Sequence, residues 1–203
     1  EESLDILSQV ARTLDKVHQL GYVHRDVKPL NLMMNDANLE NRSVVIDFGL
    51  AVKDNFQESG NNITGTPFYC APEQILHEPL TPLTDVYNAS LTLYTVLTGG
   101  HPLIHYVTAN NDLAALGRKY TVELDAASLP SDRMRLMSGI KDAKSAICKN
   151  LRAVCEWHLY RGLRDHKNIS GDVLKVIRTG AAKDPADRYR TAGELADALS
   201  ALY

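Results

Sequence analysis

Leu4, Leu7, Val10, Ala11, Leu14, Val17 and Leu20 recur at three- and four-residue spacing near the start of the chain. That period gathers them on one face, so the pattern predicts an amphipathic helix over 3–21, with Ser3 as its N-cap and Gly21 as its stop. Two short apolar runs follow, Leu32 to Met34 and Val44 to Phe48, on either side of Asn35-Asp36-Ala37-Asn38. Runs too short for helices, flanking turn-forming residues, predict a small β-hairpin. From Asp47 to Glu73 the chain is rich in Asn, Ser, Gly and Thr, with few large apolar side chains before Pro67, which is the composition of a mobile loop. Thr84 to Leu97 is apolar around a whole helix and runs into Gly99-Gly100, the pattern of a buried helix with a glycine stop. Helical patterns then continue to the end. Ser131 is placed to cap a long helix through Ile140, Ile147, Leu151 and Val154, Asp172 opens another, and Thr191-Ala192-Gly193-Glu194 has the form of a capping box for the last. The fold class is mainly α with a small β-hairpin.

Composition narrows the function classes. At 203 residues and 44% hydrophobic content the chain is long enough for one substantial core. A net charge of −3 and a pI near 6.2 provide no basic footprint for nucleic acid, and no apolar run reaches the length of a membrane span. The three cysteines, Cys70, Cys148 and Cys155, are odd in number and lack metal-ligand spacing. Reduced thiols in an intracellular protein, cytoplasmic or cytoplasmic-facing, are the expectation.

The chemistry is carried by three motifs in order: His24-Arg25-Asp26-Val27-Lys28-Pro29-Leu30-Asn31, Asp47-Phe48-Gly49, and Gly65-Thr66-Pro67-Phe68-Tyr69-Cys70-Ala71-Pro72-Glu73. Together they describe one site for phosphoryl transfer from ATP. In that reaction a protein positions the nucleophile and neutralises charge on the phosphoryl oxygens, and carboxylates and an amide around magnesium suit the task. Any one of these residues alone in a loop would more often cap a turn.

In these motifs the chain resembles eukaryotic-type Ser/Thr protein kinases, the bacterial branch included, from about Ser3 to Leu202. The resemblance covers their C-terminal lobe. Only 23 residues precede His24; they contain no G-x-G-x-x-G, and Lys16 reads as a surface lysine of the first helix. The resemblance therefore implies a kinase-like C-lobe over 1–203, with the helix at 3–21, catalytic loop and magnesium motif in 22–49, activation segment in 47–73, and a helical subdomain over 84–203 enlarged at about 105–162. A missing N-lobe is expected upstream. The implied activity is transfer of the ATP γ-phosphate to a Ser or Thr hydroxyl of a protein substrate, with ATP and Mg2+ as cofactors and this lobe inactive alone. The alternative is a pseudokinase or kinase-like protein-binding module. Small-molecule kinases fit less well, because the segment from Gly65 to Glu73 resembles the substrate platform of protein kinases.

Residue by residue, the resemblance makes Asp26 the group that takes or orients the substrate proton, Asn31 and Asp47 the magnesium ligands, and Lys28 the contact to the transferring phosphate. Thr66 would bridge Asp26 and Lys28. His24 would brace the backbone of the Asp-Phe-Gly motif, Asp85 would hold the catalytic loop, and Glu73 and Arg188 would form a buried ion pair. Arg25 would pair with a phosphate on the activation segment, with Ser59 the first and Thr64 the second regulatory site. Two departures stand out: Ser90 where the family usually has glycine, and Asp187-Arg188-Tyr189 where Arg-Pro is commoner. The stretch 105–162, with Lys141, Lys144, Lys149 and Arg152, matches no assignable element and reads as an enlarged helical region with a solvated basic face, the alternative being a docking surface for a partner or substrate.

Overall fold

The computed structural model describes residues 2–34, 43–59, 64–66, 69–100, 163 and 166–203, which belong to one unit formed from Glu1–Pro102 and Leu163–Tyr203. Helix α1 (Glu2–Gln19) buries Leu4, Leu7, Val10, Ala11 and Leu14 along the predicted stripe. The helix differs at both ends from the pattern. Ser3 lies inside it rather than capping it, and Leu20 is 76% exposed because the chain has already left the helical path. Gly21 supplies the stop through a left-handed φ of 79°, and its N–H donates to the His18 carbonyl at 2.8 Å.

Strands β2 (Leu32–Met34) and β3 (Ser43–Val45) pair antiparallel with Leu32 opposite Val45 and Met33 opposite Val44. The first arm matches the predicted hairpin, but the second runs from Ser43 to Val45 and not to Phe48, where the chain turns as a 3-10 helix (Phe48–Leu50); the turn, Asn35 to Asn38, lies outside the described residues. A second two-stranded sheet, β1 (Tyr22–Val23) with β4 (Val52–Lys53), brackets the catalytic loop. The short helix α2 (Pro72–Leu76) leads to the central helix α3 (Pro82–Thr98). Thr81 caps α3 by accepting from Leu83 N, Pro82 fills the first turn where no N–H is needed, and Gly99 ends it at φ 70°. Residues 84 to 94 of α3 are all buried, as its all-round apolar pattern requires. Its buried hydroxyls find carbonyl partners: Ser90 donates to Val86 O at 2.8 Å, and Thr92 Oγ1, with one proton to give, lies 2.9 Å from Asn88 O in its own helix and 3.1 Å from Val27 O in the loop.

Helix α4 (Gly171–Gly180) starts one residue earlier than the pattern suggested, because Ser170 is the cap and accepts from Val173 N; Asp172 sits in the first turn. Thr191 caps α5 (Ala192–Ser200) through Glu194 N, but the Glu194 carboxylate returns to Arg190 N at 2.8 Å, one residue ahead of the usual capping-box partner. Helix α1 packs on α3 and α5, and α3 on α4, which places the core beneath the catalytic loop. The expected long helix from Ser131, the whole of 105–162 with its basic residues, and Cys148 and Cys155 lie outside the described residues. Among the described residues no helix is long and apolar enough to cross a membrane.

The Ser90 departure has a structural counterpart in Gly180. A Cβ on Gly180 would overlap the Ser90 hydroxyl and come within 3.1 Å of the Ser90 Cβ, so α3 and α4 approach closely only because one of the two positions is glycine. Gly180→Ala is expected to destabilise the fold by about 1–3 kcal/mol through overpacking, and Ser90→Gly in the same chain to recover most of it. Urea midpoints of the two variants check this; equal midpoints for wild type and Gly180→Ala would remove the argument.

Candidate active site

The catalytic loop is built on a strained backbone that α3 holds in place. Arg25 has a φ of 73°, a left-handed conformation that costs a non-glycine residue roughly 1–2 kcal/mol. Asp85, fully buried in α3, offsets that cost by accepting from His24 N at 2.7 Å and Arg25 N at 2.8 Å. Its Oδ2 also meets His18 Nε2 at 2.8 Å, so α1, α3 and the loop share one carboxylate. On the other side of Arg25, Gln74 Nε2 donates to the Arg25 carbonyl at 2.9 Å, while Gln74 Oε1 accepts from Ala71 N and Asn88 Nδ2. Backbone charge-assisted bonds of this kind fix a loop far better than loop residues could alone.

Asp26, 5% exposed, follows directly. Its Oδ2 accepts from Lys28 Nζ at 2.6 Å and Asn31 Nδ2 at 3.2 Å, and its Oδ1 accepts from Thr66 N at 2.9 Å. Lys28 Nζ also donates to Thr66 Oγ1 at 2.7 Å, so Thr66 contacts both Lys28 and Asp26. Asn31 donates to the Asp26 carbonyl at 2.8 Å as well, and its own carbonyl accepts from Ile46 N at 2.9 Å. That last bond sets Asp47 beside the catalytic loop, although Asp47 itself makes no direct bond to Asp26, Lys28 or Asn31. Asp47 is exposed, takes a left-handed φ of 64°, and accepts from Gly49 N at 3.2 Å. His24 Nε2 reaches the Ile46 carbonyl at 3.2 Å and its Nδ1 accepts from Asp26 N at 3.3 Å, so the ring ties the loop to the residue before Asp47. The ring also meets Phe48 edge-on at 4.7 Å, joining the loop to the Asp-Phe-Gly turn.

A magnesium ion fits the donor set. Asn31 spends its NH2 on Asp26, which leaves its amide oxygen as a ligand atom, and exposed Asp47 adds carboxylate oxygen. Among the described residues no three His, Cys, Asp or Glu side chains gather as a metal cage. Magnesium asks for no cage, since it is usually held by one or two protein oxygens together with water and substrate phosphates.

The remaining expected residues fall away from this network. Glu73 and Arg188 form a bidentate buried pair at 2.7 and 2.9 Å. Ser59 is exposed and Thr64 half-buried, its carbonyl 4.0 Å from Cys70 Sγ; Cys70 is buried and its thiol donates to Thr66 O at 3.3 Å. Burial pushes the Tyr69 phenol above its ordinary range, against an opposing hydrogen bond with Thr95, so it stays protonated near neutral pH. Arg25 Nη2 donates to Glu58 Oε1. Glu58, Gln74 and His18 are the site residues that sequence reasoning passed over. No motif marks them, because each acts on a partner 33 to 67 residues away.

A family model described as protein kinase domain matches residues 1–198. The serine/threonine-protein kinase PknB of Mycolicibacterium smegmatis is 30% identical over 207 residues, covering 92% of this chain and 30% of that protein. PknB of Mycobacterium tuberculosis (strain H37Rv) is 27% identical over 201 residues, 96% of this chain and 25% of that protein, and its PknJ is 28% identical over 203 residues, 97% and 28%. The chain thus spans about a quarter to a third of the curated relatives it matches. Among solved structures, the Cydia pomonella granulovirus kinase PK-1 superposes with a TM-score of 0.60 at 21% identity over 95% of this chain and 55% of that one, a likeness of fold.

Proposed function

Because this chain belongs to the protein kinase family, we propose that it is the catalytic-loop and substrate-binding lobe of a protein Ser/Thr kinase, in which the ATP γ-phosphate passes to a Ser or Thr hydroxyl. The observation that carries the reading is the Asp26 carboxylate with Lys28, Asn31 and Thr66 around it. A carboxylate has roughly four acceptor sites. Three are taken, two on Oδ2 and one on Oδ1, so Oδ1 keeps one for the substrate hydroxyl.

In the proposed step the hydroxyl oxygen forms a bond to the γ-phosphorus, the bond from that phosphorus to the bridging oxygen breaks, ADP leaves with the electron pair, and the hydroxyl proton goes to Asp26. Lys28 is placed to lie against the transferring phosphoryl group, with Thr66 Oγ1 fixing its ammonium. Thr66 also shapes the approach of a Ser or Thr acceptor. Asn31 and Asp47 would hold magnesium, which supplies neutralisation of charge on the ATP phosphate oxygens when bound. The stabilising groups stand pre-organised by Asp85 and His24, which is the condition for electrostatic catalysis.

Magnesium-dependent transfer of labelled γ-phosphate to serine and threonine of casein by the native protein tests the reading. Absence of transfer would leave the binding-module alternative standing. We further propose that these 203 residues alone bind ATP weakly and phosphorylate nothing, since no phosphate-covering Gly-rich loop precedes His24. Supporting this, Leu30 is 84% exposed and the cross-strand neighbours Met33 and Val44 are both exposed, an apolar face suited to cover by an upstream lobe. Strong casein labelling by the purified 203-residue chain would overturn it.

A further inference from the structure

Arg25 is buried, and its positive charge is next in sequence to the Asp26 carboxylate. A buried guanidinium without an acidic partner is strongly unfavourable. The structure already contains an acid there. Arg25 Nη2 donates to Glu58 Oε1, and the Glu58 side chain is only 12% exposed. The guanidinium also lies 5.5 Å from the Phe56 ring centre, and His77 Nδ1 stands 3.9 Å from Glu58 Oε2.

The segment that presents Glu58 is itself tied down. Asn55 N donates to Leu80 O and Leu80 N to Phe56 O, both at 2.8 Å, and Gln57 Nε2 donates to His77 O at 3.2 Å. Residues 55 to 57 are therefore laced to 77–80, the stretch between α2 and α3. Ser59, the neighbouring hydroxyl, is exposed.

We propose that Glu58 is a positioning residue: its carboxylate neutralises Arg25 and anchors the activation segment in the place where a phosphorylated side chain would otherwise act, so that the enzyme is assembled without phosphorylation of Ser59 or Thr64. The inference rests on the kinase reading above. It replaces the expected phosphate switch by a charge written into the sequence. Glu58 engages one edge of the guanidinium, and Arg25 Nε has no hydrogen-bond partner among the described residues, so the pair is a single bond reinforced by the Phe56 face rather than a fork.

The test uses the native protein, treated with phosphatase and shown by mass to carry no phosphate on Ser59 or Thr64. The treated protein and the Ser59→Ala, Thr64→Ala double variant are expected to keep kcat within about twofold of the untreated protein. Glu58→Gln is expected to lower kcat at least about tenfold with the ATP KM little changed, and Glu58→Asp to recover most of the loss. Amide exchange in 54–58 should quicken in Glu58→Gln while α1 and α3 exchange as before, which separates lost positioning from unfolding. Loss of activity on phosphatase treatment, or an unaltered kcat in Glu58→Gln, overturns the proposal while the kinase reading stands. If the wild-type protein transfers no phosphate, the kinase reading falls, and unaltered exchange in Glu58→Gln would then overturn the anchoring role as well.

Discussion

Asp26→Asn in the native protein is expected to lower kcat about 10²- to 10⁴-fold, the range that a general base contributes, with a much smaller change in the KM for ATP. The substitution keeps the shape of the side chain, so its effect comes from hydrogen-bond polarity. In one orientation the new NH2 faces Lys28 Nζ and Asn31 Nδ2, both of which are donors; in the other it faces Thr66 N, also a donor. Neither orientation satisfies all three neighbours, and the Lys28 ammonium loses its counter-charge. The free acceptor site on Oδ1 also loses the basicity needed to take a proton. Thermal stability and ATP binding of the variant are the controls, because the loop is held from behind by Asp85 and Gln74 rather than by Asp26. A variant with wild-type turnover would show that the carboxylate is not the base and return the chain to the class of kinase-like binding modules.

Much of this site was legible because its residues are close in sequence. Asp26, Lys28 and Asn31 fall within six positions, and a turn from Pro29 to Asn31 folds them onto one carboxylate. The helix stripe of α1 and the all-round burial of α3 were likewise written as periodicity. What escaped was long-range or short in extent. Strands β1 and β4 are two residues each, too short for alternation to register, and they exist because the loop between them needs its ends tied. Glu58 looks like an ordinary loop acid until Arg25, 33 residues earlier, is brought beneath it. His18 sits on the edge of the α1 stripe, and only the tertiary fold aims it at Asp85. The start of α4 was set one residue late, at Asp172, because Ser170 and Asp172 are both residues that open helices; the choice lies in the backbone of Ser170, which is extended while Asp172 is helical.

Arg188→Ala is expected to destabilise the fold by about 3–5 kcal/mol, and Glu73→Ala by less. Arg188 uses all five of its donors: Nη1 and Nη2 on the two Glu73 oxygens, Nη1 also on Leu83 O, Nη2 also on Lys183 O, and Nε on Ala182 O. Its guanidinium further lies 4.9 Å from the Tyr87 ring centre. Removing the arginine strands a buried carboxylate and three carbonyls together, whereas removing Glu73 costs the guanidinium its counter-charge and two of its hydrogen bonds and frees Thr84 Oγ1, but leaves the arginine its three carbonyl partners. At about 2–4 °C per kcal/mol for a chain of this size, Arg188→Ala should lower Tm by roughly 6–20 °C. A fall under about 2 °C, or a larger fall for Glu73→Ala, would show that the pair is not the buried anchor its geometry describes. The loss should also reach the active site. Glu73 precedes Gln74, which holds the Arg25 carbonyl, so loosening α2 releases the strained loop on which Asp26 stands. Turnover of Glu73→Ala is therefore expected to fall at temperatures well below its unfolding transition, a separation that a purely global loss of stability would not produce.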